Sequence, residues 1–335
     1  MSNFQQRLTP KQRVNKVLNG EMPDRVPWID HFMSDDLPNE ILKRSQKHHY
    51  KYIRNFPEII DYLGIDAFEF RVTAPVYCEI LKENGMEMYG KGLIKSREDL
   101  KDINFPNPGS ADILNEAEML SKKYGDKYAL IFSTRSGFMN TYLSLGYEGF
   151  SYALIDDPGL IDDLYYKTRD WTLELVENLK QFEFDAIRVT DDIAYKNGLL
   201  FSPEILEKYL FPAHKLVKES IEIPFMFHSD GNFFAIIDRL IEIGVDVVSN
   251  IEPEAMDIVE LKKQYGDKLK IMGNISVNTL AAGTPEEVYQ ETKERLQELA
   301  PGGGYILSSS NSLPIYCKPE NIIAMKEALD DCGWY

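Results

Sequence analysis

Residues 186–230 read AIRVTDDIAYKNGLLFSPEILEKYLFPAHKLVKESIEIPFMFHSD, and this stretch decides the fold. It opens on Ala186-Ile187-Arg188-Val189, a short run rich in β-branched residues that predicts a strand. Ser202-Pro203-Glu204 then carries the chemistry of a helix start: an N-cap serine, a proline at the first helical position and an acid in the first turn. A second run, Phe225-Met226-Phe227, closes the stretch. Strand, helix and strand in that order predict a right-handed βαβ unit with parallel strands.

Working outward, the alternation recurs along the chain. Short apolar runs lie at residues 26–29, 67–72 and 128–132 before this unit, and at 245–248, 269–272 and 305–307 after it. With 186–189 and 225–227 they make eight, which predicts an α/β chain folded as a single (β/α)8 TIM barrel. Thr284-Pro285-Glu286-Glu287 repeats the helix-start chemistry, and Gly64 and Gly244 stand where helices hand over to strands, as C-cap glycines do. The first 25 residues predict an extra, peripheral N-terminal helix. The long insertions after the second and third strands predict loops over the barrel mouth. No Pro/Gly/Ser-rich linker interrupts the chain, so one domain is expected over residues 1–335.

Composition narrows the function classes. The chain has 335 residues, 44% of them hydrophobic, enough for a large core. A net charge of −17 repels phosphate backbones, so nucleic acid is not expected as a partner. No run approaches the ~20 apolar residues of a membrane span. The N-terminus lacks a signal-peptide core. Cys78, Cys317 and Cys332 form neither a CxxC nor a disulfide framework. A cytoplasmic protein is expected, and the sequence leaves a homodimer open.

In a parallel barrel the carboxyl ends of all strands face one mouth, where active sites are built. Here those ends carry Asp30 and His31, Glu69 and Arg71, Ser133 to Arg135, Asp191 and Asp192, and His228 to Asn232. Asn250, Glu252, Asn274 and Ser308 to Asn311 complete the ring. Asp30, His31, Glu69, Arg71, Arg135, Asn274 and Asn311 are read as substrate-binding. Asp192 and His228, at the ends of adjacent strands, are read as catalytic. Two carboxylates with an imidazole suit a divalent metal or general acid–base work. Glu207 lies in the helix between them and is either a ligand or part of a solvated helix face. His214, His48 and His49 are read as structural. Gly302-Gly303-Gly304 precedes a strand and reads as a turn, and no GxSxG elbow surrounds Ser133 or Ser136.

The segments Thr9 to Arg13, Pro23 to Pro27, Asp191 to Ala194, Ser202 to Glu204, His228 to Asn232, Gly273 to Ile275 and Pro301 to Tyr305 together resemble the uroporphyrinogen-decarboxylase-like superfamily over nearly the whole chain. The decarboxylases themselves carry an arginine-rich segment after the first strand. Here that segment reads Ile29 to Asp36, with no arginine and two extra acids, so it is expected to repel an octa-acid porphyrinogen. The branch that methylates coenzyme M uses a His-x-Cys pair and a later cysteine. Those positions hold His228-Ser229-Asp230 and Ser308 to Asn311, so that acceptor is not expected.

A third branch is similar to the methyl-donor-specific components of O-demethylases. Some of its members bind zinc through Glu, fourteen residues, Glu, twenty residues, His. This chain has Asp192, Glu207 and His228 at that spacing, with Asp one methylene shorter than Glu. The resemblance implies a corrinoid-dependent methyltransferase that moves a methyl group from a small phenyl methyl ether-like donor to Co(I) of a separate corrinoid protein. It implies zinc on Asp192, Glu207 and His228, with Asp230 the alternate ligand. No DxHxxG segment is present, so cobalamin is expected on the partner. The alternatives are a metal-free decarboxylase acting through Asp30, Arg71 and Arg135, and a non-catalytic binding barrel.

Overall fold

The computed structural model describes residues 7–34, 36–47, 49–83 and 86–335, with Asp35 and His48 outside them. Its centre is a curled parallel sheet. Strands β1 (Ala67–Arg71), β4 (Ala129–Thr134), β5 (Ala186–Thr190), β8 (Phe225–His228), β9 (Val247–Ile251), β10 (Lys270–Ile275) and β11 (Tyr305–Ser309) lie side by side in that order. The eighth expected strand, 26–29, is an extended segment between the sheet's two ends. Trp28 bridges Leu307 in parallel on one side, and its carbonyl accepts from Asp66 N on the other at 2.8 Å. Pro27 accepts from Leu307 N at 2.9 Å but has no N–H to return, which limits this segment to a bridge instead of a full ladder.

Period-2 alternation sends one set of strand residues inward. Ile29, Ala67, Ala129, Ile131, Ala186, Met226, Val247, Met272 and Ile306 form one buried layer with Val14, Val17 and Leu18. These last three belong to the helix Pro10–Leu18, which begins on a Thr9–Gln12 capping box. The expectation of a peripheral N-terminal helix is therefore corrected: an apolar stripe at i, i+3 and i+4 plugs the amino end of the barrel. Polar groups fix the plug. Asp66 accepts from Arg13 Nη1 at 2.5 Å, Arg25 Nη2 at 2.8 Å and Trp28 N at 2.8 Å.

The insertion after β1 forms an antiparallel hairpin of β2 (Cys78–Glu83) and β3 (Met86–Gly92). Its foot presses on the end of the helix Phe138–Leu145. A Cβ on Gly92 would stand 2.2 Å from Gly146 N, so a side chain does not fit there. The insertion after β4 is helical, Phe138–Leu145 and Tyr147–Asp156, before the long helix Pro158–Leu179. A short hairpin of β6 (Ala194–Tyr195) and β7 (Gly198–Leu199) follows β5. Among the described residues no helix is long and apolar enough to cross a membrane.

Candidate active site

The same alternation that fills the barrel with alanines and methionines puts polar groups on its next layer. Glu69, two residues beyond Ala67, and Arg188, two beyond Ala186, meet in the centre with side chains 2% and 1% exposed. Arg188 Nη2 donates to Glu69 Oε2 at 2.7 Å. His31 Nδ1 donates to the same oxygen at 2.6 Å, and Arg71 Nη1 donates to His31 Nε2 at 3.1 Å. Arg188 Nη2 also lies 2.7 Å from Nδ1, but it has Glu69 Oε2 to donate to, whereas the opposite tautomer would set a lone pair against Glu69 and an N–H against Arg71. Burial, with Arg188 and Arg71 nearby, lowers His31 to about 3 despite Glu69, so the ring is neutral. Burial alone would raise Glu69, but Arg188, His31 and Arg71 hold it well below the carboxylate range.

Next to this floor, β5 and β8 deliver Asp192 and His228. The imidazole centroids of His31 and His228 are 5.7 Å apart. His228 Nδ1 donates to Ser249 O at 3.4 Å, which turns Nε2 toward two carboxylates. Nε2 lies 3.5 Å from Asp230 Oδ1 and 3.8 Å from Asp192 Oδ1. Burial and the arginines lower His228 to about 4 against the pull of Asp192, leaving Nε2 with a free lone pair. Burial, Asp192 and Glu252 raise Asp230 to about 8, although Asn311 donates to it at 2.9 Å. Gly231 makes the turn. Its φ is +79°, and a Cβ would stand 2.6 Å from Tyr195 N. Its N–H donates to Glu252 at 2.8 Å.

This cluster fits a divalent cation. The ligand atoms of Asp192, His228 and Asp230 all lie within 4.8 Å of one another. Ligands ~2.0–2.1 Å from a tetrahedral ion stand about 3.3 Å apart, near the separations seen here. The histidine tautomer is held by a carbonyl, as it is in metal sites.

Glu207 is not part of the cluster, which corrects the expected ligand set. It sits on a widened helical turn, Leu206–Leu210, and its carboxylate makes a two-pronged pair with Arg239, both contacts 2.9 Å, on the exposed helix face. Asp230, the expected alternate, lies within the cluster. The other expected residues divide. His31, Arg71 and Arg135 line a cleft of about 860 Å³ beside the cluster. Glu69 lies beneath it, and Asn311 holds Asp230. Asp30 is consumed below the mouth, accepting from Trp28 Nε1 at 2.8 Å, His31 N at 3.1 Å and Ser309 Oγ. Asn274 lines a different pocket, with Glu254, Glu291 and Arg295. His214 is structural, bonded to Asp191 at 2.9 Å.

Sequence reasoning missed Arg188 and Arg54. Arg188 was discoverable, because Ala186, Arg188 and Thr190 share one face of a strand. Arg54 gives no such signal. It reaches the cleft because Ile53 bridges Phe70 and Glu116 accepts from the backbone N–H groups of Lys51, Tyr52 and Ile53 at 2.7–3.0 Å. The expectation of a mouth that repels an octa-acid porphyrinogen rested on one segment, and the cleft has further walls. The segment Ile29 to Asp36 brings no arginine, but Arg54, Arg71 and Arg135 reach the same cleft from other elements.

Fold and site together define a barrel enzyme class with an acid–histidine mouth. Residues 82–332 match the uroporphyrinogen decarboxylase (URO-D) family, and the chain belongs to it. A uroporphyrinogen decarboxylase of Dechloromonas aromatica is 29% identical over 117 residues, 34% of this chain and 32% of that protein. A methylcobamide:CoM methyltransferase of Methanosarcina barkeri is 28% identical over 148 residues, 44% of this chain and 42% of that protein. These alignments span well under half the length of either relative. A methyltransferase of Methanosarcina mazei has the same fold, with a TM-score of 0.71 over 97% of this chain and 99% of that one at 18% identity.

Proposed function

We propose that this chain, acting as one barrel domain over residues 1–335, is a corrinoid-dependent methyltransferase. It moves a methyl group from a small methoxylated donor to Co(I) of a separate corrinoid protein. The observation that carries the reading is the convergence of Asp192, His228 and Asp230 beside an 860 Å³ cleft. Support comes from relatives with methylcobamide:CoM and methylated-thiol–coenzyme M methyltransferase activities. The cluster holds no thiolate, which disfavours a thiol acceptor.

In this reading Asp192, His228 and Asp230 hold one zinc ion, with Ser249 fixing the histidine tautomer and Asn311 orienting Asp230. Bound there, zinc would supply Lewis acidity toward the leaving oxygen. The methyl–oxygen bond breaks with its electron pair left on oxygen, and the Co(I) pair forms the new carbon–cobalt bond. Neutral His31, locked between Glu69 and Arg71, offers no acidic proton that would protonate Co(I) ahead of the methyl group. The β2–β3 hairpin, whose Ile80, Met88 and Tyr89 line the cleft, restricts water around the donor.

Elemental analysis of protein purified without chelator, with methyl transfer to an added Co(I) corrinoid protein followed by visible absorbance, tests this. One equivalent of zinc is expected, and His228→Ala loses both zinc and transfer. Full activity of metal-free wild type, or a full equivalent of zinc in His228→Ala, refutes it. A second reading, metal-free decarboxylation of a smaller acid, is favoured by the arginines of the cleft. Carbon dioxide release without metal or corrinoid protein would establish it, with Asp192 and His228 as an acid–base pair.

A further inference from the structure

The cleft beside His31 carries a charge opposite to that of the chain. Its walls include Lys51, Arg54, Arg71 and Arg135 against one carboxylate, Asp36, in a protein of net charge −17. The acid paired with Arg71 is Glu69, at 3.9 Å, and its other oxygen is already held by His31 and Arg188. Among the described residues, neither Arg54 nor Arg135 makes an ion pair. Arg54 lies over Phe32 at 5.4 Å, and Arg135 donates to Tyr89 Oη at 2.8 Å. The Nε atoms of both are buried without a hydrogen-bond partner, and Arg135 is 5% exposed. Crowding among these cations, on top of burial, brings Arg71 down to about 10.

The charge of Asp192 reaches buried Arg135 without a direct ion pair. A guanidinium that has spare donors and no carboxylate in direct contact matches a carboxylate through its planar fork. The wall also carries apolar side chains, Phe32, Ile53, Ile80, Met88 and Leu313, beside the hydroxyls of Ser34, Thr73 and Ser312. We infer that the methyl donor is an organic carboxylate, its acid group held by Arg54, Arg71 and Arg135 and its apolar body lying between Phe32 and the β2–β3 hairpin. The inference rests on the methyltransferase reading and adds the class of donor to it. His31 stands between the two ends of the site, its ring next to that of His228.

The test compares 3-methoxybenzoate with methoxybenzene, its neutral counterpart. Binding to the full chain is measured by calorimetry at low and high salt, and both compounds are offered in the corrinoid transfer assay. The carboxylate should bind at least tenfold more tightly and weaken with salt. Arg54→Met should weaken it about 10–100-fold, as expected for losing a hydrogen bond to a charged group, with Arg54→Lys in between. Equal binding of both compounds, an unchanged affinity in folded Arg54→Met, or no binding by any of a panel of methoxylated carboxylates overturns the inference. The two-ligand comparison on wild type decides the matter should the variant not fold. Carboxylate-selective binding without methyl transfer supports the anion site and removes the methyltransferase reading. Transfer from methoxybenzene as fast as from methoxybenzoate overturns the carboxylate inference and keeps that reading.

Discussion

Glu69→Gln removes one charge from the floor of the mouth and keeps the shape of the side chain. The carboxylate accepts from His31 Nδ1 at 2.6 Å and from Arg188 Nη2 at 2.7 Å, with both ends of the Arg188 pair all but fully buried. Each such bond to a charged group is worth about 1.5–3 kcal/mol. The glutamine oxygen replaces one of them in neutral form, while its N–H2 faces another donor and Arg188 is left without a counter-charge. The expected loss is about 3–5 kcal/mol, the range for breaking a buried ion pair. Guanidinium unfolding of wild type and variant measures it, with an unchanged slope showing that the unfolded state is the same. Glu69 is held well below the ordinary carboxylate range. Its contribution is therefore complete above its unfolded value of about 4.3 and is lost only as pH falls through the lower folded value, so the difference should stay constant from about pH 5 to 8. Glu69→Gln combined with Arg188→Met should recover part of the loss, because no unpaired charge remains. A loss under about 1 kcal/mol, or a double variant equal to the sum of the singles, refutes the assignment of a buried ion pair.

His31 stays neutral in the folded protein down to about 3, through burial and its arginine neighbours. The unfolded chain binds that proton below ~6.5, so stability is full above that pH and falls by up to about 1.4 kcal/mol per unit as pH drops through the window between; urea titrations at several pH values should show His31→Asn with a shallower acid slope, and an identical slope would rule this out. Gly231→Ala forces a Cβ against Tyr195 at a φ of +79° and should cost about 1–3 kcal/mol in unfolding experiments, with weaker zinc binding because Asp230 moves; wild-type values on both counts would show that the turn tolerates a side chain. Glu207→Ala should retain a full equivalent of zinc and near-wild-type transfer, since Glu207 is paired with Arg239 on the helix surface; loss of zinc in elemental analysis would return Glu207 to the ligand set.

Much of the fold is legible because it rests on local signals that agree. The runs at 186–189, 225–227 and 305–307 fall within β5, β8 and β11, and Thr284 caps its helix through Glu287 as the sequence implies. The segment 26–29 was found as an apolar run but carries a proline, and a proline cannot complete a ladder. The N-terminal helix was placed correctly and its role was not. Val14, Val17 and Leu18 mark an apolar stripe, but no local signal says that the stripe faces the inside of a barrel instead of its flank.

The site is legible to the depth that strand ends allow. Asp192, His228 and Asp230 end adjacent strands, and the barrel brings strand ends together whatever the intervening residues do. Glu207 shows where spacing fails. A count of residues along the chain fixes neither the rotation of a helix nor the partner its side chain finds. The widened turn Leu206–Leu210 and the guanidinium of Arg239, thirty-two positions away, settle both. Asp230 needs no such accident, because Gly231 fixes the turn that follows β8 and Asn311, just past β11, meets the carboxylate at the same mouth. A side chain delivered by the rim of the sheet is placed by the closure of the barrel itself. That gives a physical reason for two acids and a histidine to gather at the mouth even where the helical position of the familiar spacing has turned outward.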